Sequence, residues 1–255
     1  RGGMHTLTAA LAGALRAAGA TVLTGVRATG LERTGDGWAV ATQRSDGSDG
    51  SLSAGRVVVA TDGPTAWDLL APVAGGALAG VERPARGSGV ALVTLVAEAD
   101  GLDPAPRGTG LLVSPQVPAD VVGAKAMTHV TAKWDWARTA PHRHVLRLSY
   151  GRVTDSPDAS TPGYRTGDEE LLGRAVADAT TLTGVDLAGA VVRSFVVRWG
   201  SALPAATTGH RAAVRALRDW LEGQPGLDAV GAWLAGTGLA AVVGDVRRRI
   251  GAEDD

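Results

Sequence analysis

LDAVGAWLAGTGLAAVVGDVRRR, Leu227 to Arg249, is the segment whose reading decides the fold. An apolar run of strand length, Ala229 to Leu234, leads into the turn Gly236-Thr237-Gly238. A helix-compatible stretch follows, with Leu239, Val242, Val243 and Val246 on one face and Arg247, Arg248 and Arg249 at its end. Glycines at a strand-to-helix junction let the backbone approach a ligand and leave the first helical N–H groups free for an anion or a carbonyl. Positive charge at the other end suits the helix dipole. The pattern is that of an α/β unit, and a bare packing turn is the competing reading.

Working outward, 255 residues are enough to bury a core and to hold one large domain or two small ones. The net charge of −1 argues against nucleic acid as a main partner. No apolar run has the length of a transmembrane segment. With no cysteine, disulfides and thiolate chemistry are excluded, and a reducing cytoplasm is the expected compartment. Lysine occurs only at Lys125 and Lys133, a bias of composition rather than of chemistry. The sequence begins at Arg1 with no initiator methionine, from which a fragment of a longer chain is expected.

From the N-terminus, His5 to Ala18 has Leu7, Leu11 and Leu15 on one helical face and stops at Gly19. Short strands are expected at Ala20 to Leu23 and Val26 to Leu31. Gly35-Asp36-Gly37 marks a turn into a strand at Trp38 to Thr42. Asp46 to Ser51 reads as a solvated loop. Val57 to Thr61 reads as a buried strand, and Pro64 starts a helix carrying Trp67, Leu69 and Leu70. Strand-like segments at Gly89 to Ala97, Gly110 to Val113, Ala126 to Thr131 and His144 to Tyr150, separated by Pro, Gly and Asp, predict an antiparallel sheet. Thr166 and Glu169 suggest a capping box for a helix from about Asp168 to Thr181, with Asp168, Glu169 and Glu170 suited to its dipole. Val191 to Trp199 is a strand, and His210 to Leu221 is a helix with Val214, Leu217 and Leu221 inward.

No self-sufficient catalytic set is visible. GxSxG, HExxH, GxxxxGK[ST] and a complete GxGxxG are all missing from the sequence. His142 and His144 alternate like two ligands on one strand face, but no third ligand stands in register, so they read as a polar face and no metal site is expected. His129 and His210 read as structural, and Trp38, Trp134, Trp136 and Trp199 as core or cleft-lining residues. A chain without its own acid–base set is either a binding module or an enzyme whose cofactor does the chemistry.

The ordered segments add a resemblance. GGMHTLTAALAGAL (Gly2 to Leu15), the following meander and VVVATDGPTAWDLL resemble flavin-dependent amine-oxidase-like enzymes. GTGLLVSP from Gly108, THVTAKWDW from Thr128, HVLRLSYGR from His144, DEELLGRAVADAT from Asp168 and VVRWGSALPAATTGH from Val196 resemble the oxygen-dependent protoporphyrinogen and coproporphyrinogen oxidases of haem biosynthesis. GAWLAGTGLAAVVGDVRRR resembles that family's final FAD segment, while its GxGxxG strand–turn–helix has no counterpart here.

The resemblance implies an α/β (α+β) fold in which part of a Rossmann-like FAD-binding domain with a β-meander is joined to a substrate domain on an antiparallel sheet. Boundaries are expected at 1–80 and 196–255 for the FAD-binding part and 81–195 for the substrate part. The cofactor implied is FAD. Ala28 matches a position whose backbone meets the adenine, Trp199 a wall of the flavin pocket, and Thr237, Gly238 and Leu239 the turn facing the isoalloxazine ring. The partners implied are a porphyrinogen substrate and dioxygen, with peripheral membrane contact left open. Arg147, Arg152, Lys133 and Arg138 are candidates to meet substrate carboxylates, each with an ordinary surface role as the competing reading. The chain departs from the family at Ala205, Ala206, Leu234, Asp245 and Val246. An amine oxidase, a carotenoid desaturase and a non-catalytic fragment unable to hold FAD remain as alternatives.

Overall fold

The computed structural model describes residues 2–87, 89–152, 162–200 and 207–251. In chain order these form α1 (His5–Ala17), β1 (Val26–Thr34), β2 (Gly37–Arg44), β3 (Asp49–Ala54), β4 (Val57–Val59), α2 (Gly63–Ala74), β5 (Val90–Glu98), β6 (Gly110–Leu112), β7 (Ala126–His129) and α3 (Val130–Lys133). They continue with β8 (Arg143–Tyr150), α4 (Asp168–Thr183), β9 (Val191–Trp199), α5 (His210–Glu222), β10 (Leu227–Ala229), α6 (Ala232–Ala235) and α7 (Leu239–Ile250). The chain divides into two compact units, one of residues 1–11 and 88–202, the other of residues 12–87 and 203–255. The mixed helix–sheet class and the antiparallel middle are as the sequence patterns predict.

The first unit is a five-stranded antiparallel sheet in the order β6-β7-β8-β5-β9. Period-two alternation does the sorting: Ala91, Val93, Leu95 and Ala97 of β5 and Leu146, Leu148 and Tyr150 of β8 point to one face. There they meet Leu171, Ala175 and Ala179 of α4 in a single cluster. That helix ends on Gly184 in the left-handed conformation, at φ 74. Beneath the sheet, buried Asp178 accepts from the backbone N–H of Gly123 and Ala124 at 3.3 and 2.8 Å and from the Tyr150 hydroxyl at 2.9 Å. Burial, with Asp178 beside it, pushes the Tyr150 phenol up, so it stays a donor.

The second unit joins the meander β1-β2-β3 to a parallel pair, β4 and β10. Trp38, Leu69, Leu70, Leu217, Leu221, Leu227 and Trp233 form its core. Asp62 caps α2 by accepting from Thr65 N at 2.9 Å, one residue before the helix and two before Pro64. Asp228 on β10 pairs with Arg56 at 3.1 Å and with Arg249 at 3.2 Å, which ties the start of β4 to the end of α7. The arginine run is thus partly an internal clamp, and not only a partner for the helix dipole.

Several elements differ from the sequence reading, each for a local reason. Ala20–Leu23 forms no strand, because no described strand pairs with it. Most of the expected loop at Asp46–Ser51 is turn and strand: Asp46 Oδ1 accepts from Ser48 N at 2.9 Å, reversing the chain so that Asp49–Ala54 pairs with β2. That strand is exposed throughout, so no apolar alternation announces it. The Val57–Thr61 strand stops at Val59, where its partner β10 also ends, and Val58 is exposed. Ala126–Thr131 divides into β7 and α3, with Trp134 N donating to Val130 O at 2.8 Å. No capping box forms on α4: Thr166 Oγ1 accepts instead from Gly163 N at 2.9 Å, and Gly167 is the N-cap. The run Ala229–Leu234 is strand only at its start. Gly231, at φ 136, turns the chain, and Ala232–Ala235 closes as one helical turn.

On α1 the face of Leu7, Leu11 and Leu15 is present, but no residue of the helix is buried. Among the described residues no helix is long and apolar enough to cross a membrane.

Candidate functional site

In the second unit, the carboxyl ends of β4 and β10 lie side by side. The outer ends of parallel strands are where α/β sheets take ligands. Beyond β10, a cleft of ≈ 620 Å³ is lined by His210, Arg211, Val214 and Arg215 of α5 and by Ala232 to Thr237. Thr237 is thus a cleft residue. Gly238, at φ 119, is the N-cap of α7 with no side-chain cap, and Leu239, 58% exposed, is its first residue. An uncapped first turn presents backbone N–H groups and the positive end of the helix dipole. A Cβ on Gly236 or Gly238 would meet nothing within 4 Å, so it is their backbone conformation that calls for glycine.

The sequence reading missed Trp233. The indole is 5% exposed, set against Gly63 and Gly231, yet its Nε1–H has no hydrogen-bond partner among the described residues. A buried donor without an acceptor costs about 1–3 kcal/mol, which is tolerated where a ligand supplies the acceptor. His210 Nε2–H donates to Trp233 O at 2.8 Å and so fixes the backbone of this turn. A helix-start histidine and a tryptophan 23 residues later carry no sequence signal that they meet.

Ala28 sits near the start of β1, opposite Thr42, with a register irregularity between Ala28 and Gly30. Such an irregularity leaves ladder groups free for another partner. Trp199 ends β9 in the first unit, 58% exposed, while Ala28, Thr237, Gly238 and Leu239 belong to the second. Of the departures, Ala205 and Ala206 lie outside the described residues. Leu234 lines the cleft. Asp245 is buried and has its own partner: Arg218 Nη2 donates to it at 2.6 Å while Arg218 Nη1 donates to Ala229 O at 2.9 Å. Val246 beside it is half-buried.

The first unit holds a second polar cluster. His144, fully buried, is no part of a polar surface, contrary to the sequence reading. Its Nε2 lies 3.1 Å from Asp103, and its Nδ1 3.0 Å from Nε2 of buried His129. A carboxylate only accepts, so His144 carries its proton on Nε2 and accepts at Nδ1 from His129. His142, in the left-handed region at φ 56, also bonds Asp103 and stands 3.3 Å from Asp100. Ligand atoms of Asp100, Asp103 and His142 all lie within 4.8 Å of one another. The aspartates are far from the histidines in sequence, which is why periodicity showed no third ligand.

Burial, then the neighbouring His144 and Arg138, lowers His129 to about 4. The bond to Asp103 raises His142, and the reciprocal bond lowers Asp103. Between the ordinary histidine value of 6.5 and 4, the unfolded chain therefore binds more protons at His129 than the folded one does. Stability rises with pH across that window and falls on acidification. His142 acts oppositely: its contribution is present below 6.5 and is lost as pH rises through its raised value. The expected result is a flatter urea-midpoint profile between pH 4 and 6.5 for His129→Gln than for the wild type. Parallel profiles would refute it.

The family described as FAD dependent oxidoreductase (DAO) matches residues 4–147, more than half of the chain. Among solved structures, a candidate protoporphyrinogen oxidase from Exiguobacterium sp. 255-15 is similar at TM-score 0.68 and 24% identity, over 89% of this chain and 46% of that one. A putrescine oxidase triple mutant is similar at TM-score 0.63 and 16% identity, over 96% of this chain and 50% of that one. Reduced UDP-galactopyranose mutase follows at 0.62 and 12%, over 92% and 47%. At these identities the likeness is one of fold, and this chain spans about half the length of each of those proteins. No curated protein matches the chain.

Proposed function

The chain belongs to the FAD dependent oxidoreductase family, and from that premise we propose that it forms part of a cytoplasmic porphyrinogen oxidase of haem biosynthesis. The reaction is coproporphyrinogen III to coproporphyrin III, or protoporphyrinogen IX to protoporphyrin IX, with dioxygen as final acceptor and one hydrogen peroxide per two-electron step. The second unit is read as the FAD side and the first as the substrate side.

The observation that carries the FAD reading is the cleft of the second unit, lined by Trp233, whose buried indole N–H has no partner among the described residues, and by Thr237, which directly precedes the uncapped N-terminus of α7. These donors fit an electron-rich ring with carbonyl acceptors, so the residues present suit the cofactor that the family uses. FAD, when bound, supplies the hydride acceptor. With FAD bound, the Thr237–Leu239 turn would meet negative charge with its backbone donors and Ala28 would offer backbone to the adenine, while Trp199, in the first unit, is carried as an aromatic contact by the resemblance alone. No acid–base residue is assigned. The protein orients its substrate and excludes water.

The exposed sheet face of the first unit supports a porphyrinogen over an amine, because it is broad, largely apolar and, among the described residues, without a free carboxylate to hold an ammonium group. Two measurements test the reading. The chain is incubated with FAD and passed through gel filtration; a retained flavin spectrum is expected, and its loss refutes FAD binding by this chain. The flavin-loaded enzyme is then given each porphyrinogen and putrescine. Growth of porphyrin fluorescence without peroxide from putrescine is expected, and the reverse pattern favours an amine oxidase.

A further inference from the structure

The face of the first-unit sheet opposite α4 carries large apolar side chains in the open. From the register, its positions are Val90, Leu92, Thr94 and Val96 of β5, with Trp199, Val197, Phe195 and Arg193 beside them on β9. Ser149, Arg147 and Val145 stand on the other side, on β8. Phe195 is 53% exposed, Val197 48%, Trp199 58%, and Leu112 at the β6 edge 86%. Singly such residues are ordinary, but adjacent on one face they make a patch of the kind that binds.

Two guanidinium groups interrupt this patch. Arg147 lies opposite Thr94 and Thr128, and Arg193 opposite Val96. Both are exposed, and neither has a hydrogen-bond or ion-pair partner among the described residues. Glu98, the carboxylate at the end of the same face, is taken by Arg143. Strand spacing puts the Cα atoms of the two arginines on the order of 12 Å apart, with valine, threonine and phenylalanine between them.

The sequence offered four candidate cations for substrate carboxylates, and the structure separates them. Arg138 approaches Asp103 at 3.9 Å, Lys133 sits 5.7 Å from the Trp134 ring centroid, and Arg152 donates to Val113 O at 3.1 Å. Arg147 alone of the four stands on the open apolar face.

We propose that this face binds the substrate and that Arg147 and Arg193 are its specificity-determining residues. They pair with carboxylates at two edges of a largely apolar macrocycle laid across Phe195 and Val197 toward Trp199. The charge pattern selects a polyanionic aromatic or macrocyclic acid and rejects a cation. The proposal rests on the porphyrinogen reading and deepens it.

The test uses the flavin-loaded enzyme, with coproporphyrin (four carboxylates) and its tetramethyl ester as probes, bound porphyrin being read by fluorescence. Arg147→Ala and Arg193→Ala are each expected to weaken coproporphyrin binding about tenfold or more. Binding of the ester should be unchanged, and Arg147→Lys should restore part of the loss. In turnover, KM for coproporphyrinogen should rise while kcat stays within about twofold. Equal binding of coproporphyrin by wild type and both alanine variants, with wild-type turnover intact, overturns the proposal and leaves the porphyrinogen reading standing. A wild-type enzyme that neither binds coproporphyrin nor oxidises a porphyrinogen overturns both. Far-UV circular dichroism and retained flavin exclude misfolding, and the ester serves as an internal control for the shape of the face.

Discussion

Asp178→Ala is expected to destabilise the first unit by about 3–5 kcal/mol, the range for removing one member of a buried charged network. The carboxylate is 1% exposed, accepts from the N–H groups of Gly123 and Ala124 and from the Tyr150 hydroxyl, and forms an ion pair with Arg174 at 3.5 Å. Alanine would leave the two backbone N–H groups and the Tyr150 hydroxyl unanswered beneath the sheet and Arg174 without its counter-charge. Tyr150→Phe removes a single donor and should cost only about 1 kcal/mol. Urea unfolding at pH 7 checks both, with the midpoint falling and the slope unchanged. Near-equal losses for the two variants would mean that the network is not centred on Asp178.

The second large effect is expected at Trp233. Its indole fills the space between Gly63 and Gly231 in the core of the second unit, so Trp233→Ala should cost about 3–5 kcal/mol. Trp233→Phe separates packing from hydrogen bonding. Without FAD, phenylalanine removes an orphaned donor and should leave stability within about 1 kcal/mol of wild type. With FAD, the same change should loosen flavin retention several-fold. Equal retention by wild type and the phenylalanine variant would show that the indole donor faces something other than the flavin.

Much of this architecture is legible in the sequence because it is periodic. VALVTLVAE and RHVLRLSY read as antiparallel strands from their β-branched and apolar content, but VALVTLVA is apolar on both sides, so which face is buried emerges only once α4 is in place. The Leu217–Leu221 spacing gives the inward side of α5. What is not legible depends on partners distant in the chain. β3 is a strand because Asp46 turns it onto β2, not because its residues favour one. His129, His144 and Asp103 meet only through the sheet, and Arg218 answers Asp245 only after α5 and α7 are packed. The same limit applies to the candidate site. The Gly236–Gly238 turn is visible as a motif, whereas Trp233 and Arg147, both without a polar partner among the described residues, become distinctive only once their neighbours are known.

The parallel pairing of β4 with β10 also sets an order of events. Arg56 and Asp228, which clasp that pair, are 172 residues apart, and residues 88–202, which carry the sheet of the first unit, are made between them. Closing so long a loop carries an entropic cost that only the finished contacts offset. During synthesis the antiparallel sheet has all five of its strands before β10 exists, and α2, already against β1, must wait for the part of its apolar side that meets α5 and Trp233 to be covered. The second unit, which holds the candidate FAD contacts around Gly238, is therefore completed late, and its half-made state is the one most in need of protection from aggregation and proteolysis.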